Sequence, residues 1–147
     1  MISLRPSSKN ELVVFDQIDR QGHANNFITQ IGLKAHQDFF DEPNITYLSI
    51  ENDKGELVGY FVLVVESCSR NLEFRRISIE RTKRGVGQAA IKEMEQFSKK
   101  KFDVKRIWLD VYEDNQIGRH IYEKLGYKQF KENMKDGRKI LFYEKTL

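Results

Sequence analysis

Two glycines separated by one residue form the most informative chemical pattern in this 147-residue chain. Gly85 and Gly87 follow an apolar segment at residues 76–79 and open a segment with helical spacing. A loop that turns from a strand into a helix leaves the first backbone N–H groups of the helix unpaired, where the helix dipole also favours negative charge. Glycine has no side chain to keep a phosphate away from that backbone. The pattern therefore predicts a pyrophosphate-binding loop.

Lys83 and Arg84 precede the glycines and add mobile positive charge beside this loop. An isolated Gly-x-Gly is more often a tight turn on a solvated basic face, but the preceding strand and the following amphipathic helix favour phosphate binding. A Walker loop is excluded because Gln88 follows Gly87 where that motif needs lysine. Ala90 fits the third position of a dinucleotide fingerprint. The glycine pair lies past the middle of the chain, however, so a Rossmann domain remains a minor alternative.

The length predicts a single domain that spans residues 1–147. The first residues lack the apolar segment of a signal peptide, so we expect a cytoplasmic protein. Charged residues make up 32% and hydrophobic residues 39%, and no apolar run reaches the roughly 20 residues needed to span a membrane. A net charge of +3 is too small to indicate nucleic acid by itself. We therefore expect neither a membrane nor a nucleic-acid partner, and a monomer or homodimer that binds small molecules or peptides.

The single cysteine, Cys68, cannot form an internal disulfide, which is consistent with a reducing compartment. Only Arg70 lies near it in sequence as an activating group, so a nucleophilic role has little support. His23, His36 and His120 show no ligand spacing with Cys68 or with one another. We expect no metal site.

Hydrophobic periodicity outlines the elements that must position the glycine loop. Ser8 and Glu11 have the spacing of a capping box for a first helix. The nearly continuous apolar run at 104–111 predicts a strand covered on both faces and parallel to strand 72–79 through the helix between them. The predicted strands are 2–4, 45–50, 57–65, 72–79, 104–111, 127–130 and 140–144, and the predicted helices are 8–18, one or two within 25–40, 85–101 and 114–125.

An asparagine-led helix after the second apolar strand completes the pattern, and its end reads Tyr122-Glu123-Lys124-Leu125-Gly126-Tyr127. With this helix and the glycine loop, residues 57–143 resemble the GNAT-type acetyl-CoA-dependent N-acetyltransferases, in particular their ribosomal-protein-acetyltransferase-like branch. The loop pattern of that family, [Q/R]-x-x-G-x-[G/A], falls on residues 82–87. Thr82 departs from it at the first position, and Gly118 stands where the family usually has alanine.

The resemblance implies an α/β (α+β), single-domain GNAT-like fold. Its sheet is mixed, mostly antiparallel, with six to seven strands, about four flanking helices and a splayed central parallel strand pair that holds the pantetheine arm of acetyl-CoA. The implied cofactor-binding residues are Ile77, Ser78, Ile79, Thr82, Lys83, Arg84, Gly85, Val86, Gly87, Gln88 and Asn115.

Two residues are candidates for acid-base chemistry. Tyr122 lies seven residues after Asn115, about two helical turns, so both project to the same side, and its phenol could protonate a leaving thiolate. A packed core tyrosine is the alternative. Glu73 is the candidate base for the amine, on a face that strand alternation shares with Arg75, Ile77 and Ile79 unless a bulge intervenes. An exposed or arginine-paired glutamate is the alternative.

Together these residues predict an N-acetyltransferase that moves acetyl from acetyl-CoA to a primary amine by direct attack in a ternary complex. The acceptor would be a small molecule, a peptide or a protein N-terminus, and residues 22–44 and 66–71 would select it. A non-catalytic acyl-CoA-binding sensor or interaction module is the alternative, and the presence of both Asn115 and Tyr122 favours the enzyme.

Overall fold

Seven strands form one mixed sheet in the order β1-β2-β3-β4-β5-β7-β6. The structure, a computed structural model, describes residues 1–21, 29–66, 68–80 and 85–147. The strands are β1 Ser3–Pro6, β2 Ile45–Glu51, β3 Leu57–Glu66, β4 Asn71–Ile79, β5 Arg106–Tyr112, β6 Lys128–Lys135 and β7 Arg138–Thr146. The helices are α1 Leu12–Asp19, preceded by a 3-10 turn at Lys9–Glu11, then α2 Gly32–Phe40, α3 Gly87–Phe102 and α4 Gln116–Lys124. Among the described residues no helix is long and apolar enough to cross a membrane.

The predicted order of elements is confirmed along the described chain. The capping box forms, with the backbone N–H of Ser8 donating to Glu11 Oε1 at 2.9 Å. The final hairpin is longer than predicted because Asp136 and Gly137 both take positive φ, 51° and 76°, in a tight turn whose twist suits long paired strands. The prediction of one or two helices within 25–40 is met by α2, and residues 22–28 lie outside the described part.

The predicted splay of the central parallel pair is confirmed by the strand register. β4 and β5 pair at only three positions, the last of which joins Glu73 to Trp108. Beyond that point each strand continues without the other, β4 to Ile79 and β5 to Tyr112. β4 remains paired with β3 on its other edge, down to Ile79 opposite Gly59. The sheet therefore contains an unpaired strand edge at its centre.

Helices cover the two faces of the sheet in separate groups. α3 and the end of α4 pack on one face around Phe61, Phe74, Met94 and Leu109. α1 and α2 pack on the other face, over the half of the sheet formed by β2 and β3. Fully burying one such large apolar side chain contributes about 1.5–3 kcal/mol, so each helix is held mainly by its apolar face.

β5 does not have both faces covered, so that prediction is wrong. Its burial alternates: Ile107, Leu109 and Val111 are buried in the core under α3, whereas Trp108 and Asp110 are not. α1 and α2 do not extend over this half of the sheet, which leaves the second face open. A strand covered on one face follows the period-2 rule despite its apolar sequence.

A bulge in β4 corrects the predicted face of Glu73. In the pairing with β3, Val62 opposes Arg76 and Leu63 opposes Phe74, so Arg75 is an extra residue. One inserted residue reverses the alternation beyond it. Ile77 and Ile79 consequently pack in the α3 core, on the face of Phe74, and do not share the face of Glu73.

Candidate active site

A cavity of about 640 Å³ opens where β4 and β5 separate. Its walls come from both faces of the sheet, because the splay makes a passage between them. Ile77, Ile91 and Tyr122 line the α3–α4 side, and Phe39 and Arg76 line the α1–α2 side. Two molecules that enter from opposite faces would meet in this gap.

The N-terminus of α3 borders the cavity through Gly87. The first backbone bond of the helix runs from Ala90 N–H to the Val86 carbonyl, and no side chain caps this end among the described residues. The N–H groups of Gly87, Gln88 and Ala89 are therefore available to an anion. A Cβ added at Gly87 would meet no atom of the surrounding described residues within 4 Å, so they leave the space in front of this backbone open.

Gly85 sets the direction of the turn that leads into α3. Its φ of 79° lies in the left-handed region, which a side chain disfavours. The predicted contacts of Thr82, Lys83 and Arg84 lie outside the described residues. The structure thus describes the second half of the predicted phosphate loop, from Gly85 into the first turn of α3.

The unpaired edge of β4 supplies backbone groups to the cavity. Ile77 and Ile79 line it, whereas Ser78 is buried on the opposite face, in register with Tyr60. The Ser78 hydroxyl has no hydrogen-bond partner among the described residues. Only the backbone of Ser78 is therefore placed to meet a ligand in the gap.

Asn115 caps α4 and lines the cavity. Its Oδ1 accepts a hydrogen bond from Gly118 N–H at 2.9 Å, which satisfies one of the free donors at the start of the helix. A Cβ at residue 118 would lie 2.7 Å from Asn115 Nδ2. Gly118, which stands where the family usually has alanine, thus leaves room for this side chain, and no described residue accepts a hydrogen bond from Nδ2.

Tyr122 lines the same cavity two turns along α4, as its spacing from Asn115 predicts. Its ring packs edge-on against Phe74 and Tyr127, with centroids 5.9 and 6.1 Å away. Its hydroxyl makes no hydrogen bond to another described residue. Burial, with a smaller contribution from the Asp110 carboxylate, raises the pKa of Tyr122 to about 12. The phenol is therefore a protonated donor across the neutral range.

Glu73 lies on the α1–α2 side and pairs with Arg75 at 3.0 Å. The guanidinium of Arg75 also lies over the ring of Phe39, 5.8 Å from its centroid. Glu73 is thus the arginine-paired glutamate that was the alternative to a free base. Glu73 is nonetheless on the cavity wall, and its role as a base stays a prediction.

A buried polar network holds Arg76 against this wall. Asp19 accepts hydrogen bonds from Tyr60 at 2.7 Å and from His36 Nε2 at 2.8 Å, and it pairs with Arg76 at 3.1 Å. Arg76 also donates to the Tyr60 hydroxyl and to the Thr29 carbonyl. Asp19 and His36 are almost wholly buried.

The charge of Asp19 is maintained by these partners. Burial alone would raise the pKa of Asp19, but the hydrogen bond from His36 and the charge of Arg76 hold that pKa below its ordinary value. The members come from α1, α2, β3 and β4, which are distant in sequence. No local motif could have indicated the network.

Asp110 is a further site residue that the sequence interpretation missed. It lines the cavity just beyond the last β4–β5 pair, on the same face as Trp108 and Glu73. Solvent reaches it, and it makes no ion pair with the described residues. A lone carboxylate inside the apolar run 107–111 was the available signal.

Comparisons with known proteins agree with the fold. The sequence profile of the Acetyltransferase (GNAT) family matches residues 15–127. No curated protein matches the chain at the level of sequence.

Solved structures share the fold at low identity. Spermidine N-acetyltransferase from Vibrio cholerae in complex with CoA and spermine is 16% identical, with a TM-score of 0.82 over 99% of this chain and 95% of that one. A dodecameric structure of the same enzyme gives 0.78 at 16% identity, over 99% and 93%. A chimera of that enzyme with hSSAT gives 0.83 at 16% identity, over 97% and 93%. At this identity the likeness shows the fold alone.

Proposed function

We propose that this chain, which belongs to the Acetyltransferase (GNAT) family, transfers an acetyl group from acetyl-CoA to a primary amine in a ternary complex. The observation that carries the proposal is the splayed β4–β5 gap, with Tyr122 in its wall and, at one side, the N-terminus of α3, which no described side chain caps. The residues fit the cofactor, because Gly87 leaves open space in front of free backbone donors. The ribosomal-protein-acetyltransferase-like branch stays a prediction.

Backbone groups would hold acetyl-CoA. The N–H groups of Gly87, Gln88 and Ala89 would bind its pyrophosphate, and the edge of β4 at Ile77–Ile79 would pair with its pantetheine arm. Asn115 would donate through Nδ2 while its Oδ1 continues to cap α4. These contacts orient the thioester, whose carbonyl carbon an amine can attack.

Tyr122 would provide the proton that the leaving thiolate needs. While the C–N bond formed and the C–S bond broke, Tyr122 would give its phenolic proton to the sulfur, and its phenolate would recover a proton from the acetylated nitrogen. A phenol with a pKa of about 12 would stay protonated near pH 7. Its transfer to the developing thiolate would be coupled to the proton that the acetylated nitrogen gives up. Before attack the amine must itself lose a proton, since free lysine-type amines are largely protonated near pH 7.

The acceptor would be a small primary amine or a peptide N-terminus. The neighbour solved with spermine suggests a small amine by analogy of fold only. The monomer or homodimer expected from the sequence stays a prediction. One structural neighbour is a dodecamer, but at 16% identity its assembly does not carry over to this chain.

Replacing Gly87 with valine tests the cofactor site. The added side chain would occupy the space before the α3 backbone, where the described residues outside the adjoining chain place no atom within 4 Å of its Cβ. We expect acetyl-CoA binding, measured by calorimetry, to be lost while the circular dichroism spectrum is retained. An unchanged affinity would show that the N-terminus of α3 does not bind the pyrophosphate of acetyl-CoA.

A further inference from the structure

The bulge in β4 places two consecutive arginines on one side of the sheet, although adjacent residues of a regular strand point to opposite faces. Arg75 is the extra residue of the bulge, and its guanidinium lies over Phe39 of α2, 5.8 Å from the ring centroid. Arg76 contacts Tyr60 and Asp19, which also belong to the α1–α2 side. Both arginines line the cavity, so its α1–α2 side carries two neighbouring guanidinium groups.

The guanidinium of Arg76 is fixed through two of its nitrogens. Its Nε donates to the Tyr60 hydroxyl at 2.8 Å, and its Nη2 donates to the Thr29 carbonyl and pairs with Asp19 Oδ2 at 3.1 Å. No described residue accepts a hydrogen bond from the third nitrogen, Nη1. The side chain is only 13% exposed, so it is held at the cavity wall before any ligand arrives. Such preorganisation lowers the entropy that a ligand must lose on binding.

The charges of the cavity wall are balanced. Among the described residues, three cationic and two anionic side chains line the cavity: Arg75, Arg76, Lys135, Glu73 and Asp110. The buried carboxylate of Asp19 behind Arg76 adds the third negative charge. A polyamine with several positive charges would meet no excess of negative charge here. A molecule that carries one amine and one carboxylate would match the wall in both signs.

We propose that Nη1 of Arg76, flanked by Arg75, binds a carboxylate of the acceptor. The acceptor is then a small primary amine that also carries a carboxylate. This inference rests on the proposed function and names the substrate class of the same site. A guanidinium suits the role, because its planar N–H donors match the geometry of a carboxylate. Ile31 and Phe39 also line the cavity and would accommodate an apolar side chain of such an acceptor.

Matched acceptors that differ only in the carboxylate test the substrate class. The pairs are leucine, serine and the dipeptide leucylglycine, each with its amide. We expect kcat/KM for the carboxylate to exceed that for the amide by about 10- to 100-fold, the effect of one hydrogen bond to a charged group. The amine of leucinamide is less basic than that of leucine. Without recognition of the carboxylate, leucinamide would therefore be the better acceptor near pH 7.

The pairs also separate the two sources of such a carboxylate. A preference within the leucine or serine pair indicates a free amino acid, and a preference within the dipeptide pair alone indicates the C-terminus of a short peptide. Spermidine, which lacks a carboxylate, should have a lower kcat/KM than the preferred carboxylate acceptor.

Arg76→Lys tests the assigned residue. Lysine keeps a positive charge beside Asp19 but lacks the guanidinium nitrogens. The ratio of kcat/KM for the carboxylate to that for its amide should fall by about tenfold or more, with unchanged affinity for acetyl-CoA by calorimetry. A loss of folded protein lowers both rates equally and leaves this ratio unchanged. Arg75→Lys, at a side chain that is 38% exposed, should lower the ratio by a smaller factor.

Arg20→Lys is the matched control. Arg20 is 59% exposed, pairs with Asp16 at 3.0 Å and is not among the described residues that line the cavity. The ratio in this variant should equal that of the wild type.

The outcomes separate the inference from the function on which it rests. If the wild type acetylates amines but prefers no carboxylate to its amide, or prefers spermidine to every carboxylate acceptor, the substrate class is overturned while acetyl transfer stands. A wild-type ratio in Arg76→Lys overturns the role of Arg76. A wild type that binds acetyl-CoA and acetylates none of the acceptors overturns the proposed function, and the inference falls with it.

Discussion

At the scale of single residues, a substitution at Tyr122 separates a role as proton donor from a role in core packing. Its ring contacts Phe74 and Tyr127, while its hydroxyl bonds to no other described residue. Tyr122→Phe should therefore keep the packing and remove only the proton donor. We expect kcat to fall about 10²-fold, the low end for acid-base assistance, because a thiol with a pKa of about 8.5 leaves tolerably without help.

Two measurements check this prediction. Calorimetry should give an unchanged affinity for acetyl-CoA, and the melting temperature should stay within a few degrees of the wild type. If the variant instead loses stability while kcat is constant, Tyr122 is a core residue and the acid assignment fails.

Asp19 is a structural charge, and its removal should show as lost stability. Asp19→Asn leaves Arg76 without its buried counter-charge and alters the bonds to His36 and Tyr60. Breaking a buried pair by removing one partner costs about 3–5 kcal/mol. Urea denaturation measures the change, with Asp38→Asn as the control. Asp38 is 64% exposed in its pair with Lys34, and its loss should cost less than about 0.5 kcal/mol.

The lowered pKa of Asp19 also predicts a pH dependence. A carboxyl whose folded pKa lies below its unfolded value stabilises the fold above the unfolded value of about 3.9. This stabilisation is lost as pH falls through the folded pKa. The stability of the wild type should thus decline more steeply below pH 4 than that of Asp19→Asn. Parallel declines would mean that Asp19 does not govern acid unfolding.

Spacing within one element predicted where Asn115 and Tyr122 lie, while their roles stay predictions. The seven-residue interval from Asn115 to Tyr122 placed both on the cavity wall, because helical geometry is local. Asp110 and the network of Asp19 and Arg76 were missed. Their significance depends on which distant strands and helices face them, and the sequence does not state this directly.

At the scale of elements, the close approach of β3 to β4 supports the cofactor edge. A Cβ at Gly59 would lie 2.5 Å from the Ser78 carbonyl oxygen and 2.9 Å from Ile79 Cδ1. Gly59→Ala should therefore displace β4, at a cost of about 1–3 kcal/mol, and should weaken acetyl-CoA binding. Gly87→Val should abolish acetyl-CoA binding without that loss of stability. Thermal unfolding and calorimetry on both variants separate the two effects, and equal stability losses would contradict this distinction.

The helices and strands were predicted in the correct order, because apolar periodicity marks each element and glycines mark the turns between them. The bulge at Arg75 was not predictable, since an inserted residue leaves the strand composition unchanged and shows only in the pairing with β3. The same holds for β5. Its apolar run suggested two covered faces, but where α1 and α2 lie decides how many faces are covered.

At the scale of the whole molecule, the splayed sheet brings two binding sides to one gap. α3 and α4 build the side where the helix N-terminus and Tyr122 lie, and α1 and α2 build the side with Arg76 and the Glu73–Arg75 pair. Direct transfer needs both substrates held at reacting distance, which a passage through the sheet provides. A sensor of acyl-CoA would need only the first side.

The measurement that tests this account most directly is thiol release from acetyl-CoA by the wild-type protein. It is run against polyamines, aminoglycosides and peptides with free N-termini, with mass spectrometry of each acceptor. Acetyl transfer predicts amine-dependent thiol release together with an acceptor heavier by one acetyl group for each thiol released. Tight acetyl-CoA binding without release above the amine-free rate for any acceptor would contradict the account and indicate a non-catalytic sensor.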